Sequence, residues 1–283
     1  MKPGIALLLL VLVPCLAFGQ ATGRAQIGVC VDPDRFEAAQ AAGFDYVETN
    51  ASKVAALTDE EFQKLAAQVA RLRIPLAASM SFIPGAIKLT GPDVDPAKQL
   101  TYVTGVLSRL KQLGVKVVVL GSGGARRVPD GFSKEEAFAQ LVDFGRRIAP
   151  VARDNGITIV VEPLRKQETN IINTAREGLA LVKAVDRPEI RLLVDYYHLA
   201  EEGEDADIIA EAGPLLAHAH IANPKGRVFP LSADESAYEG FFSNLCKIGY
   251  KGRLSVEAST TDFAAQAPQA IALLRQALAC AAK

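Results

Sequence analysis

Neither sign of charge dominates this chain: 31 Lys and Arg stand against 32 Asp and Glu over 283 residues, a formal net charge of −1. So neutral a protein lacks the basic footprint that a phosphate backbone requires, and no nucleic-acid partner is expected. Cysteine is scarce, with four residues and none at CxxC spacing. That pattern announces neither a disulfide nor a thiolate metal site, and Cys30, Cys246 and Cys280 read as small buried hydrophobes. Long apolar runs are absent after the first twenty or so residues, so nothing there reaches the roughly 20 apolar residues of a membrane span. Histidine occurs only three times, at 198, 218 and 220.

The N-terminus is different. Met1-Lys2 gives a positive start, Ile5 to Phe18 is apolar apart from Pro14 and Cys15, and Ala17-Phe18-Gly19 supplies small residues where a signal peptidase reads. The run is short for a transmembrane helix, so residues 1–19 are expected to be a cleaved secretory signal, with the cut between 19 and 22. An uncleaved anchor is the alternative, and a lipoprotein signal at Cys15 is disfavoured by Pro14. Cleavage moves the charge from 31 − 32 = −1 to 30 − 32 = −2. The mature protein is expected in the periplasm or outside the cell.

Beyond the N-terminal segment the chain has a regular rhythm. Eight short apolar or β-branched runs occur at Gln26–Val31, Asp45–Thr49, Leu76–Met80, Lys116–Leu120, Thr158–Pro163, Arg191–Asp195, Leu216–Ala222 and Arg253–Ala258. Runs such as Val117-Val118-Val119-Leu120 do not alternate with polar residues, as expected for parallel strands buried on both faces. Between them lie amphipathic stretches. Thr58-Asp59-Glu60-Glu61 opens a helix to about Leu72, Ser133-Lys134-Glu135-Glu136 opens one that ends near Asn155-Gly156, and apolar stripes run over 174–185 and 264–279. Gly43, Gly114 and Gly249 sit where a helix should stop before the next strand. Strict β/α alternation in about 260 residues predicts one domain over 24–283, a closed (β/α)₈ barrel, with an open doubly wound sheet as the alternative.

Barrel enzymes work at the C-terminal ends of their strands. Four consecutive predicted strands end in ionisable groups: Glu162, Asp195, His220 and Glu257. Neighbouring strands lie about 4.8 Å apart, so such tips converge on one point. Three buried carboxylates repel unless a cation neutralises them. Three oxygens and one imidazole suit one divalent ion, Mn²⁺, Mg²⁺, Co²⁺ or Zn²⁺, and not copper or an iron–sulfur cluster. His218 and His220 share a side-chain parity, and His220 lies nearer the active end. Glu48, closing the second strand, reads as a partner behind the metal, a substrate contact or a structural ion pair. Gly121-Ser122-Gly123-Gly124-Ala125-Arg126-Arg127 lacks the Lys of a phosphate loop. It is either a flexible surface loop or a means of bringing backbone amides and Arg126 or Arg127 to a polyol or carboxylate.

At these residues the chain resembles the xylose isomerase-like barrel superfamily, the sugar phosphate isomerase/epimerase group. The matching pieces are Glu162-Pro163-Leu164, Glu168-Thr169-Asn170, Asp195-Tyr196-Tyr197-His198, His218-Ala219-His220-Ile221-Ala222 and Glu257. The resemblance implies a metal on Glu162, Asp195, His220 and Glu257, with the two glutamates also exchanging protons with a bound sugar. It implies substrate contacts from His198, Arg227 and Glu168. The implied reaction is isomerisation or epimerisation by proton abstraction beside a carbonyl, through an enediolate. Val228-Phe229-Pro230-Leu231-Ser232 after Arg227 departs from the Gly-rich turn of many relatives, and export removes the chain from cytoplasmic sugar phosphates. Both point to free or oxidised sugars, including elimination from a 3-keto-glycoside by a lyase or hydrolase. A sugar-binding barrel without activity is a further alternative. The group's DNA-repair endonucleases need more histidines than three. A homodimer is the default assembly.

Overall fold

In the computed structural model, which describes residues 23–280, the eight apolar runs become eight parallel strands. They are β1 (Gln26–Cys30), β2 (Tyr46–Asn50), β3 (Leu76–Met80), β4 (Val117–Leu120), β5 (Thr158–Val161), β6 (Ile190–Asp195), β7 (Leu216–Ile221) and β8 (Arg253–Val256). Each pairs with its sequence neighbours, and β8 closes on β1 through Gln26 opposite Arg253 and Val29 opposite Val256. The open-sheet alternative is thereby removed. The expected signal segment lies outside the described residues, and no helix among the described residues is long and apolar enough to cross a membrane.

The apolar residues divide into two layers, which explains the lack of alternation. Ile27, Val29, Val118, Ile159, Val161, Leu192 and Val194 face outward into a large core shared with the helices. Their neighbours Tyr46, Ala77, Val117, Val119, Val160 and Leu193 fill the barrel interior. A strand with apolar partners on both faces shows no polar face.

The helices begin where their caps lie. Thr58 and Glu61 form a capping box at the start of Asp59–Val69, Ser133 caps Lys134–Asn155, and Thr174 with Glu177 caps Ala175–Val185. Gly43, Gly114 and Gly249 all take positive φ (97°, 89° and 62°), a turn that reverses the chain from helix into strand at low steric cost.

One expectation is corrected. Cys246, in the helix Tyr238–Lys247, and Cys280, just past the helix Phe263–Leu278, form a disulfide across a sequence separation of 34. Only Cys30 is free among the described residues. The pairing arises where two helices of the outer ring meet, and spacing along the chain carries no sign of that. In a chain-entropy description, closing a loop of this size stabilises the fold by about 2–4 kcal/mol. Cys246→Ser should lower the unfolding free energy in urea by about that amount, and reduction of the wild type should give the same loss. An unchanged midpoint in both would show that the bond contributes nothing.

Candidate metal and active site

The tips of β5 to β8 meet at one point. Glu162 follows β5 directly, Asp195 ends β6, His220 lies one residue before the end of β7, and Glu257 follows β8. Glu162, Asp195 and His220 are buried and Glu257 is half-buried. His220 Nδ1 lies 3.3 Å from Glu162 Oε1 and 3.3 Å from Glu257 Oε2. One donor atom from each of the four residues falls within 4.8 Å of every other. Ligands held about 2.1 Å from one ion at right to tetrahedral angles are about 3.0–3.4 Å apart, a range that the two His220–glutamate distances meet.

Hydrogen bonding tests the fit independently. Glu162 Oε1, Asp195 Oδ2 and His220 Nδ1 are buried without a hydrogen-bond partner. One orphaned acceptor is costly in a protein interior, and three aimed at a common point fit a cation. No thiolate joins them, so the donor set is hard to borderline.

Their electrostatics agree. Burial, then repulsion from Glu257, pushes the Asp195 carboxyl up to about 7, against the pull of His220. Burial raises Glu162 as well, with Glu257 adding to it. Burial acts in the same sense on Glu257, but His220 and Arg227 outweigh it and hold that carboxylate at about 2. A metal binds the deprotonated forms, so protons compete for Asp195 as pH falls through 7. Mn²⁺ affinity measured by calorimetry should therefore drop roughly 30-fold between pH 8 and pH 5.5. A change below threefold would contradict the buried, mutually repelling arrangement.

Behind the four lies a closed polar network. Glu48, at the third position of β2, is fully buried. Its carboxylate accepts from His218 Nε2 at 3.0 Å and Ser255 Oγ at 2.6 Å, while His220 Nε2 sits 3.3 Å from both of its oxygens. Tyr46 Oη is 2.7 Å from Ser255 Oγ, whose own proton is committed to Glu48, so the phenol donates. Burial alone would raise Glu48, yet the two histidines hold it well below the usual carboxylate range. The surrounding carboxylates raise His220 well above the ordinary imidazole range, so without a cation both ring nitrogens carry protons. The anionic Glu48 fixes the one on Nε2, and a metal would replace the one on Nδ1, the nitrogen that faces Glu162 and Glu257. His218 stays behind the site, one pleat below.

Rim residues complete the site. His198 Nδ1 accepts from the Arg165 backbone N–H at 3.2 Å, which puts its proton on Nε2, 3.7 Å from Asp195 Oδ2. Burial, then Arg227, lowers His198 to about 3, so it is a neutral donor. Arg227 donates to Glu257 Oε2 at 2.6 Å, lies 3.5 Å from Glu168 Oε1, and stacks over Tyr197 at 4.6 Å. Its φ of +50° is unusual for a non-glycine residue. Arg165 lies against the Tyr197 ring as well, at 5.1 Å, and bonds Glu168 and Glu201.

Arg126 does not reach a surface. The glycine-rich segment contains a helical turn at Gly123–Arg126, and the Arg126 side chain is 2% exposed. Its guanidinium donates to the carbonyls of Leu120 and Ile172, stitching the loops after β4 and β5. Arg126 is therefore not free to meet a ligand, while Arg127 beside it is exposed and donates to the Glu168 carbonyl at 3.0 Å. The turn forms because apolar Ala125 and the Arg126 stem pack inward.

The sequence profile of the xylose isomerase-like TIM barrel family matches residues 36–277. The chain belongs to that family. L-ribulose 3-epimerase of Methylomonas sp. (strain DH-1) is 30% identical over 228 residues, 78% of this chain and 76% of that protein. D-psicose 3-epimerase of Ruminiclostridium cellulolyticum is 29% identical over 226 residues, covering 76% and 74%. The crystal structure of a D-allulose 3-epimerase from Methylomonas sp. has a TM-score of 0.79 at 25% identity, over 90% of this chain and 98% of its own.

Within this xylose isomerase-like barrel, Glu162, Asp195, His220, Glu257, His198, Arg227 and Glu168 come together, and Glu48 stands directly behind His220. Tyr46, Ser255, Arg165 and Tyr197 join them without having stood out in the sequence. For the first two the signal existed: Tyr46 and Glu48, His218 and His220, Ser255 and Glu257 are each two residues apart, and period-2 strands put such pairs on one face.

Proposed function

We propose that this chain is a divalent-metal-dependent sugar epimerase or isomerase that moves a proton on a carbon beside a carbonyl. The observation that carries the reading is the pair Glu162 and Glu257, each 3.3 Å from His220 Nδ1. They present two carboxylates from the tips of β5 and β8, with β6 and β7 between them. The relatives from Methylomonas and Ruminiclostridium are 3-epimerases of ketoses, which supports the same class.

A bound Mn²⁺, Mg²⁺, Co²⁺ or Zn²⁺ would be held by Glu162, Asp195, His220 and Glu257 and would supply charge neutralisation and carbonyl polarisation. The protein's own groups do the rest. Glu257, held anionic beside Arg227, takes the proton from carbon as general base. Glu162, the second carboxylate of the pair, returns one. His198 Nε2–H and the Arg227 guanidinium donate to substrate oxygens as negative charge develops there. Return to the opposite face epimerises the sugar, and return to the neighbouring carbon isomerises it.

The test is transfer of solvent deuterium into a panel of free ketoses and 3-keto-glycosides by the metal-loaded protein. Incorporation at carbon bound to hydrogen, in one or more of them, is the expected result. Binding without exchange would leave a sugar-binding barrel, and release of an aglycone would make it a lyase. Export belongs to the same reading. It is supported by the N-terminal pattern and by the Cys246–Cys280 bond, a kind of link that persists in oxidising compartments. Mature protein recovered outside the cytoplasm should begin between residues 20 and 23.

A further inference from the structure

We propose that Gly121 is a positioning residue for the metal cluster: its missing side chain makes the space in which the Glu162 carboxylate stands. The inference rests on the proposed metal site. Gly121 follows β4, whose last residue, Leu120, pairs with Val161 and accepts the backbone N–H of Glu162 at 3.2 Å. The glycine therefore flanks Glu162 across the ladder. A Cβ built on Gly121 would lie 2.3 Å from Glu162 Oε2 and 3.5 Å from both Glu162 Cδ and Leu164 Cδ2. Carbon and oxygen in ordinary contact stay more than about 3 Å apart, so the carboxylate would have to move.

It has little room to do so. Oε1 already faces His220 Nδ1 at 3.3 Å, and the residue is 5% exposed. The backbone is not what demands glycine, since φ at Gly121 lies outside the left-handed region and alanine can adopt it. What demands it is the approach of a ligand carboxylate to a main-chain wall. Gly124, three residues on in the same glycine-rich run, lacks this feature: a Cβ there meets only Gly85 Cα at 3.8 Å. Gly123 is close-packed as well, but against the backbone carbonyl of Glu168 at 2.8 Å, so of the three glycines only Gly121 abuts a candidate ligand side chain.

The experiment compares Mn²⁺ binding by calorimetry in the wild type, Gly121→Ala, Gly124→Ala, Glu162→Ala and the double variant Gly121→Ala/Glu162→Ala, with thermal unfolding of each. Gly121→Ala should weaken Mn²⁺ binding at least tenfold, while Gly124→Ala stays within twofold of the wild type. In the Glu162→Ala background, where no carboxylate is present to be displaced, adding Gly121→Ala should change neither affinity nor melting temperature further. Should Gly121→Ala fail to fold alone, recovery of folding in the double variant supports the contact, and failure there overturns it. Folded Gly121→Ala with wild-type Mn²⁺ affinity overturns the proposal by itself. A wild type that binds no Mn²⁺, Mg²⁺, Co²⁺ or Zn²⁺ overturns the metal site along with it.

Discussion

Glu257→Gln is expected to lower the rate of proton exchange by about a thousandfold or more, the range associated with loss of a positioned general base. The change is nearly isosteric, so packing around β8 should survive. What disappears is the negative charge that His220 and Arg227 hold in place against burial. An amide cannot accept the carbon-bound proton at neutral pH. It also leaves the Arg227 guanidinium without the carboxylate it meets at 2.6 Å. The amide oxygen can still face His220, so Mn²⁺ affinity should fall far less than exchange does. That separation is the informative part. Deuterium incorporation and Mn²⁺ binding should be measured on the same preparation; exchange within tenfold of the wild type would remove Glu257 from the proton-transfer step. Equal losses in both would make it a ligand and nothing more.

The barrel is legible in the sequence because its strands are buried on both sides. Each continuous apolar run has helices outside and packed side chains inside, so the eight runs stand out against amphipathic neighbours. The four candidate ligand positions are legible for the related reason that an ionisable group ending such a run needs a partner. Asp195 illustrates what stays hidden. The helix Tyr196–Glu202 starts directly from it, and its Oδ1 accepts the Tyr197 backbone N–H at 2.9 Å while Oδ2 faces the cluster. One carboxylate acts as both helix cap and candidate ligand, and the motif alone shows only that a carboxylate is there. Arg126 misleads because arginine among glycines suggests a loop in solvent, whereas burial is decided by carbonyls as far as 46 residues away, at Ile172. The Cys246–Cys280 bond and the stacking of Arg165 on Tyr197 likewise depend on tertiary placement.

Glu48→Gln should weaken metal binding about 10- to 100-fold although Glu48 is not one of the four candidate ligands, the usual consequence of losing a partner behind a histidine ligand. Three donors converge on this one side chain: His218, His220 and Ser255. A carboxylate accepts all of them, but an amide offers a single accepting oxygen and places N–H groups at the other end. If the oxygen serves His218 and Ser255 on the Oε2 side, the amide nitrogen faces His220, and two donors then oppose each other. His220 relieves this by moving its proton from Nε2 to Nδ1. That tautomer has no lone pair toward Glu162 and Glu257, so the imidazole drops out of the donor set. The ¹⁵N chemical shifts of His220 with Mg²⁺ present report the change directly: Nε2–H in the wild type, where the metal takes Nδ1, and Nδ1–H in Glu48→Gln. An unchanged tautomer with unchanged Mn²⁺ affinity would show that the barrel interior, and not Glu48, orients the ring. A weakened affinity with an unchanged tautomer would place the role of Glu48 in its charge.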